Sequence, residues 1–287
     1  MSVLDVFAAC NKGIMDGVLI KRATRSDKEF HFQNWFTKHL AALRLNFDAP
    51  ARNSYPDFRL VASTVGFELK GLEFPGRIAD FDCNSQVPSG QHNGRSIYYV
   101  FGRYPKSTEN TYPIFDLVIC HGNLLNARHD YIHKNKSFRG FGSYGDILVR
   151  DRKMYVAPIP FGLLDGLDRQ VTLILLAGEP VDHRFSLVGE IERVETPKVV
   201  TKYTFDLKTN DLTTSEEDNP TAGTVHKFKA YRLKEAPRTA VKLKHQPVVP
   251  NTEDVEDGED ADEPDAAKAI EKDAEKKTTR FRRKPSE

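Results

Sequence analysis

Cysteine is scarce: the 287 residues hold three, Cys10, Cys83 and Cys120, far apart and odd in number. They supply neither a disulfide framework nor a CxxC metal knuckle, which suits a reducing compartment and three small buried thiols. Long apolar runs are missing too. No stretch approaches the roughly 18 consecutive apolar residues of a membrane span. The opening MSVLDVFAACNKG has neither the basic flank nor the apolar length of a secretion signal. The expectation is a cytoplasmic protein with no membrane partner. What is present is ordinary for a globular chain: 39% hydrophobic and 29% charged residues, enough apolar material for a substantial core.

The net charge of +1 conceals an asymmetry. Asn251 to Glu287 hold 13 acidic and 8 basic residues; of the 41 and 42 in the chain, 28 and 34 remain before them, so the body carries +6. A mildly basic body fits a nucleic-acid binder without demanding one. The segment from Val249 onward, rich in like charge and poor in apolar residues, cannot bury enough surface to offset its ordering entropy. The expected organisation is therefore one domain over 1–247 and a disordered acidic tail over 248–287, ending in the basic cluster Lys276 to Lys284.

Within the body the pattern is mixed α/β. Ser26 or Asp27 can cap a helical run, KEFHFQNWFTKHLAALRLNF, in which Phe32, Trp35, Phe36, Leu40 and Leu43 recur at three- and four-residue steps. Two short strands, DFRLVA and VGFELKG, are close enough to pair as a hairpin. Further strands are expected at SIYYVFGRY, YPIFDLVICHG, GDILVRD, KMYVAPIP, VTLILLAG and VVTKYTFDL, with YYVF, FDLVIC and TLILLA buried on both faces as central strands. Lys208 to Gly223 reads as a long polar loop. The TVHKFKAYRLK segment after it reads as a strand that packs Val225, Phe228, Tyr231 and Leu233, with Lys227, Lys229, Arg232 and Lys234 facing out. That strand is either an edge guarded by lysines or a basic surface beside DNA. Glu190 and Glu192 mark the wet face of another strand.

The chemistry gathers at the hairpin. Asp57 opens its first strand, and Glu68 and Lys70, two apart on the second, project from one face while Leu69 points to the core. Two carboxylates and an ammonium then converge. Hard carboxylate oxygens suit Mg²⁺, which keeps waters and phosphate oxygens in its shell. A bound water is acidified there, and a lysine orients it and offsets negative charge. That is the equipment of phosphodiester hydrolysis. A surface hairpin carrying an ion pair is the plainer alternative.

The residues RNSYPDFRLV and GFELKG, preceded by the helix KEFHFQNWF and followed by FDCNSQVPSGQHNGRSIYYVFGRYP, resemble the PD-(D/E)xK nuclease superfamily, type II restriction endonucleases in particular. The similarity spans about residues 26–120. It implies a restriction endonuclease-like core, a mixed central β-sheet flanked by helices, here with extra β-strands. It also implies Asp57 and Glu68 as metal ligands, Lys70 as the catalytic lysine and Mg²⁺ as cofactor. The preceding helix of such enzymes often contributes an acidic or amide residue. Glu29 and Gln33, four apart on one helix face, are the candidates, against a first-turn acid and a solvent-facing amide.

Two clusters are candidates for contacting DNA. Asn84, Ser85 and Gln86, with Gln91, His92, Asn93 and Arg95, carry groups suited to phosphates or base edges, though a turn would use the same residue types. Lys134, Lys136 and Arg139 lie in HKNKSFRGFGSYG, a segment able to grip a backbone or simply to be a solvated loop. A sequence-specific reader of palindromic double-stranded DNA is expected to be a homodimer, since cutting both strands takes two sites. A cognate DNA methyltransferase would belong to the same system without direct contact. The alternatives are a repair or recombination nuclease that reads DNA structure or modification, and a non-catalytic DNA-binding accessory protein.

Other motifs are weaker. His129 and His133 are four apart on a possible helix, with His121 upstream, but no HExxH acid or cysteine pair accompanies them. HNGR at 92–95 matches an HNH nuclease only in letters. GxSxG and the Walker loop are absent, and RGFGSYG follows no expected strand, which leaves little weight for a nucleotide loop.

Overall fold

The computed structural model describes residues 2–22, 30–48, 55–74, 81–83, 87–106, 109–127, 132–134, 137–139, 147–150, 153–156, 171–209 and 211–234. By contact the chain divides into two units, Met1–Lys242 and Leu243–Glu287, and every described residue lies in the first. The acidic tail and the capping residues Ser26 and Asp27 lie outside the described residues.

The molecule is mixed α/β, built on a nine-stranded sheet. Its order is Phe185–Val194, Val225–Leu233, Val171–Leu176, Asp116–His121, Arg95–Pro105, Val65–Phe74, Phe58–Leu60 and Phe47–Asp48, with Gln91–His92 paired to Arg95–Ser96. Val65–Phe74 runs parallel to Arg95–Pro105, and Asp116–His121 runs parallel to Val171–Leu176; the other pairings are antiparallel. The three runs expected to be central are central and buried, because apolar side chains at consecutive positions can be dry only where both faces are covered.

Two α-helices occur among the described residues, and both cover the same face of the sheet. The first, α1 (Val3–Met15), went unrecognised in the sequence. Its signals are local: Val3, Val6, Phe7, Cys10 and Ile14 are buried at helical spacing, and Asp5 Oδ2 accepts from the Ser2 N–H at 3.0 Å. The second, α2 (Phe30–Ala42), stops sooner than its hydrophobic pattern suggested. Arg44 turns left-handed at φ 55°, and the N–H groups of Leu45 and Arg44 donate to the carbonyls of Leu40 and Ala41. Phe47 accordingly lies in a strand. Against this face pack Phe67, Leu69, Tyr98, Val100, Leu117, Ile119, Leu173 and Leu175. Gly102 lets α2 settle onto the sheet, since a Cβ there would lie 2.4 Å from the buried Phe32 ring. The alternate side chains, Ile97, Tyr99, Phe101, Val118, Cys120, Ile174, Phe228 and Ala230, form a second core on the opposite face with Phe81, Cys83, Val87, Leu124 and Leu125. All three cysteines are buried, and burial pushes the Cys10 and Cys120 thiols up.

Two sequence expectations fail at the far end. Residues 208–223 are not one loop: Asp211–Asp218 is a strand, antiparallel to Lys198–Asp206. It is exposed along its whole length, so it carries no burial periodicity to read. Val225–Leu233 is an interior strand, between Val171–Leu176 and Phe185–Val194. Phe228 and Ala230 are buried on one of its faces and Tyr231 and Leu233 lean on the other core, while Val225 stays exposed at the strand's start. Lys227 and Lys229 reach Glu192 and Glu190 across the strand boundary at 3.0 and 3.8 Å, which confirms the wet face of the glutamates.

The crossing of the two helices carries a titratable group. His39 is 7% exposed, packs edge-on against Trp35 at 4.2 Å, and occupies the space left by Gly13. Burial, with Lys38 adding to it, pulls its pKa from 6.5 down to about 4. Below pH 6.5 the unfolded chain therefore takes up a proton that the folded one refuses. The stability present at neutral pH falls as the pH drops toward 4, by roughly 3 kcal/mol from this residue. Urea denaturation of wild type and His39→Gln at pH 7 and pH 4 measures it: the wild type should lose more stability between the two pH values, by a difference of that order.

Candidate active site

The hairpin sets the geometry. Phe58 pairs with Phe67 and Arg59 with Gly66, but the first strand has three residues and the second ten. Beyond Phe67 the outer edge of the long strand therefore loses its neighbour. Asp57 fills the gap: its Oδ2 accepts from the Leu69 N–H at 2.7 Å, in place of the missing backbone carbonyl. Its Oδ1 accepts from Gln33 Nε2 at 3.2 Å. Gln33 thus reaches from the first turns of α2 to the carboxylate and does not simply face solvent.

Alternation sets the rest. Phe67 and Leu69 enter the core beneath the helices, so Glu68 and Lys70 project from the other face, beside their register partners Tyr99 and Phe101. Lys70 Nζ is 3.1 Å from Glu68 Oε1, and their side chains are only 22% and 11% exposed. Burial alone would pull the lysine's pKa down. The charge and hydrogen bond of Glu68 outweigh it, Asp57 and then Cys83 add to them, and the ammonium is held above its ordinary range. Asp57, Glu68, Lys70 and Gln33 are therefore brought together at the strand edge, as the sequence led one to expect. Glu29 lies outside the described residues.

Sequence reasoning missed a second layer. Tyr99 is buried, its hydroxyl 3.1 Å from that of Tyr55, which donates to the Ser89 carbonyl at 3.1 Å. Burial, then Tyr55 and Glu68, raise the Tyr99 phenol well above its usual range, so it stays a neutral donor beside the carboxylate. Cys83, also buried, acts on both Lys70 and Tyr99. Tyr55 was visible two residues before Asp57. Tyr99 is found only once the parallel register is known.

The residues expected to touch DNA fare unevenly. Asn84, Ser85, Gln86 and Lys136 lie outside the described residues. Gln91 and Asn93 are exposed at the tip of a hairpin, and His92 is half-buried. Arg95 is tied into the fold: its Nη1 donates to the carbonyls of Leu60 and Ser63 at 2.9 and 2.7 Å. Lys134 and Arg139 lie on paired strands, Ile132–Lys134 and Ser137–Arg139, and not in a loop. His133 shares the first of these, so the histidine pair has no helix there. A strand does precede the glycine-rich segment. However, the next described element is another strand, Ile147–Arg150, and not the helix a dinucleotide loop requires.

Among the described residues no cluster of three or more His, Cys, Asp and Glu is arranged to hold a metal. The donor set is two carboxylates. That number fits Mg²⁺, which is commonly held by one or two carboxylates, with waters and substrate phosphates completing its shell. No helix among the described residues is long and apolar enough to cross a membrane. No protein-family model, curated protein or solved structure matches the chain.

Proposed function

We propose that the chain is a Mg²⁺-dependent, sequence-specific endonuclease of double-stranded DNA, with a restriction endonuclease-like core, acting as a cytoplasmic homodimer. One observation carries the reading: Asp57, Glu68 and Lys70 converge, with Gln33, at the edge where the outer strand stops, on the sheet face away from the helices. The basic body, net +6 over the first 250 residues, supports an anionic polymer as substrate.

Asp57 and Glu68 would hold the cation. When bound, it supplies a more acidic water and offsets charge on the phosphate. The remaining work belongs to the chain. Gln33 and the Leu69 N–H fix the Asp57 carboxylate by holding one oxygen each. The half-buried Lys70 ammonium faces the incoming phosphodiester as a preorganised positive charge and a donor to the attacking water. Tyr55 and Tyr99 stiffen the floor beneath Glu68.

The test is incubation of the purified full chain with Mg²⁺ and a large unmodified DNA, followed by sequencing of the fragment ends. Discrete fragments with a shared end sequence, abolished by EDTA, are expected. Cleavage confined to branched, nicked or modified DNA would instead identify a structure-reading repair or recombination enzyme. Duplex binding with no Mg²⁺-dependent cleavage would identify an accessory protein.

A further inference from the structure

We infer that the hairpin tip at Gln91, Asn93 and Gly94 is the sequence-reading element, a rigid two-stranded ribbon that enters the major groove and presents two primary amides to adenine. The inference rests on the duplex-DNA reading above and names the part of the molecule that makes it specific.

The tip is built to project. Gln91 pairs with Ser96 and His92 with Arg95, and the link between them is Asn93 and Gly94, at φ 49° and 73°. Two consecutive left-handed residues make the tight turn that matches the twist of a hairpin, and Asn-Gly is the dipeptide that adopts it most readily. Gln91, Asn93 and Gly94 are exposed, and a Cβ added to Gly94 would meet nothing within 4 Å.

The root is tied down by hydrogen bonds and close packing. Arg95 ties one strand to the carbonyls of Leu60 and Ser63. The buried Ser89 hydroxyl donates to the Gln91 carbonyl at 2.5 Å and accepts from the Gln91 N–H at 3.1 Å. Gly90 is pressed so closely on Asn123 that a Cβ there would overlap its amide oxygen.

Position and chemistry then select the partner. The His92 ring packs edge-on against Tyr55 at 4.9 Å, and Tyr55 precedes Asp57 by two residues, so the hairpin is anchored on the segment that carries the candidate carboxylate. Burial, and Arg59 nearby, hold His92 below the ordinary histidine range, which keeps it neutral at pH 7. Its Nε2, 3.1 Å away, can then accept from Asn93 Nδ2 and fix the amide plane. The major groove admits a two-stranded ribbon, and an Asn or Gln amide matches the adjacent acceptor and donor of adenine, N7 and N6.

The variants are Gln91→Ala with Asn93→Gly, which keeps the turn's backbone, and Asn93→Asp, which also tolerates positive φ. Each is prepared as the full chain and compared with wild type by circular dichroism. Fluorescein-labelled duplexes with randomised cores are selected and titrated in EDTA, so that binding is read apart from cleavage. Wild type should enrich a consensus containing adenine. The double variant should bind the unselected pool within about twofold, because phosphate contacts are untouched, and lose at least about tenfold on the consensus. Asn93→Asp should weaken all duplex binding by charge repulsion. An unchanged consensus and affinity in the double variant, or a wild-type consensus without adenine, overturns the inference. Failure of wild type to bind any duplex overturns it together with the nuclease reading. Selective binding without Mg²⁺-dependent cleavage would sink the nuclease reading alone.

Discussion

On the proposed nuclease reading, Asp57→Asn is expected to slow Mg²⁺-dependent cleavage of duplex DNA by at least about a hundredfold while leaving the melting temperature almost unchanged. The substitution is nearly isosteric. Its amide oxygen can still accept from the Leu69 N–H, the bond that closes the open edge of the strand, and the Gln33 amide can turn over to accept from the new Nδ2, so the hairpin keeps its shape. What disappears is one negative charge of the two available to a divalent cation. Lys70→Ala should reach a similar loss by a different route. It removes a positive charge placed 3.1 Å from Glu68 and leaves that carboxylate, 9% exposed, without its partner. Some loss of stability should accompany it, so rates must be taken below the melting transition of the variant. Groups that act as one unit are strongly non-additive, and the double variant should therefore be little worse than either single one. Rates within threefold of wild type for both single variants would remove these residues from the active site.

Asp116→Ala is expected to destabilise the domain by about 3–5 kcal/mol. Asp116 and Arg103 are register partners on adjacent central strands, 0% and 1% exposed. The guanidinium Nε donates to Oδ1 at 2.7 Å and Nη2 donates to Oδ2, a forked pair whose arginine also lies against the rings of Phe74 and Phe115, at 5.2 and 5.9 Å. Removing the aspartate takes away the carboxylate that holds two donors of a buried guanidinium, and an arginine cannot shed its charge to escape the cost of burial. Replacing both, Arg103→Met with Asp116→Leu, should recover most of the loss, because the favourable half of a buried pair is largely spent on desolvating it. Urea midpoints of the single and double variants decide the matter. A cost below 1 kcal/mol for Asp116→Ala would mean that the pair is solvated or paired elsewhere.

These two sites show different degrees of legibility. The Asp57, Glu68 and Lys70 set could be read because it lies within 14 residues of chain on a hairpin, where strand alternation alone fixes the faces. Gln33 was legible as a helix-face candidate only because the preceding helix had a clear pattern. The Arg103–Asp116 pair was not read at all. Asp116 sits in a run whose burial was foreseen and Arg103 lies two residues beyond another, but no local pattern says that residues 13 apart on two strands align a guanidinium with a carboxylate. The exposed strand Asp211–Asp218 failed for the opposite reason: with nothing buried, it leaves no hydrophobic signature.

The sequence by itself determined the mixed α/β class, the central strands and the carboxylate–lysine set, because each follows from periodicity or from neighbours close along the chain. Only the tertiary structure decided that both helices share one face, that Arg95 serves the fold, and that Tyr99 lies beneath Glu68. It alone placed His92 of the hairpin against Tyr55. Those facts depend on strand register and order, which are settled by packing between segments far apart in the chain and leave no mark on either segment alone.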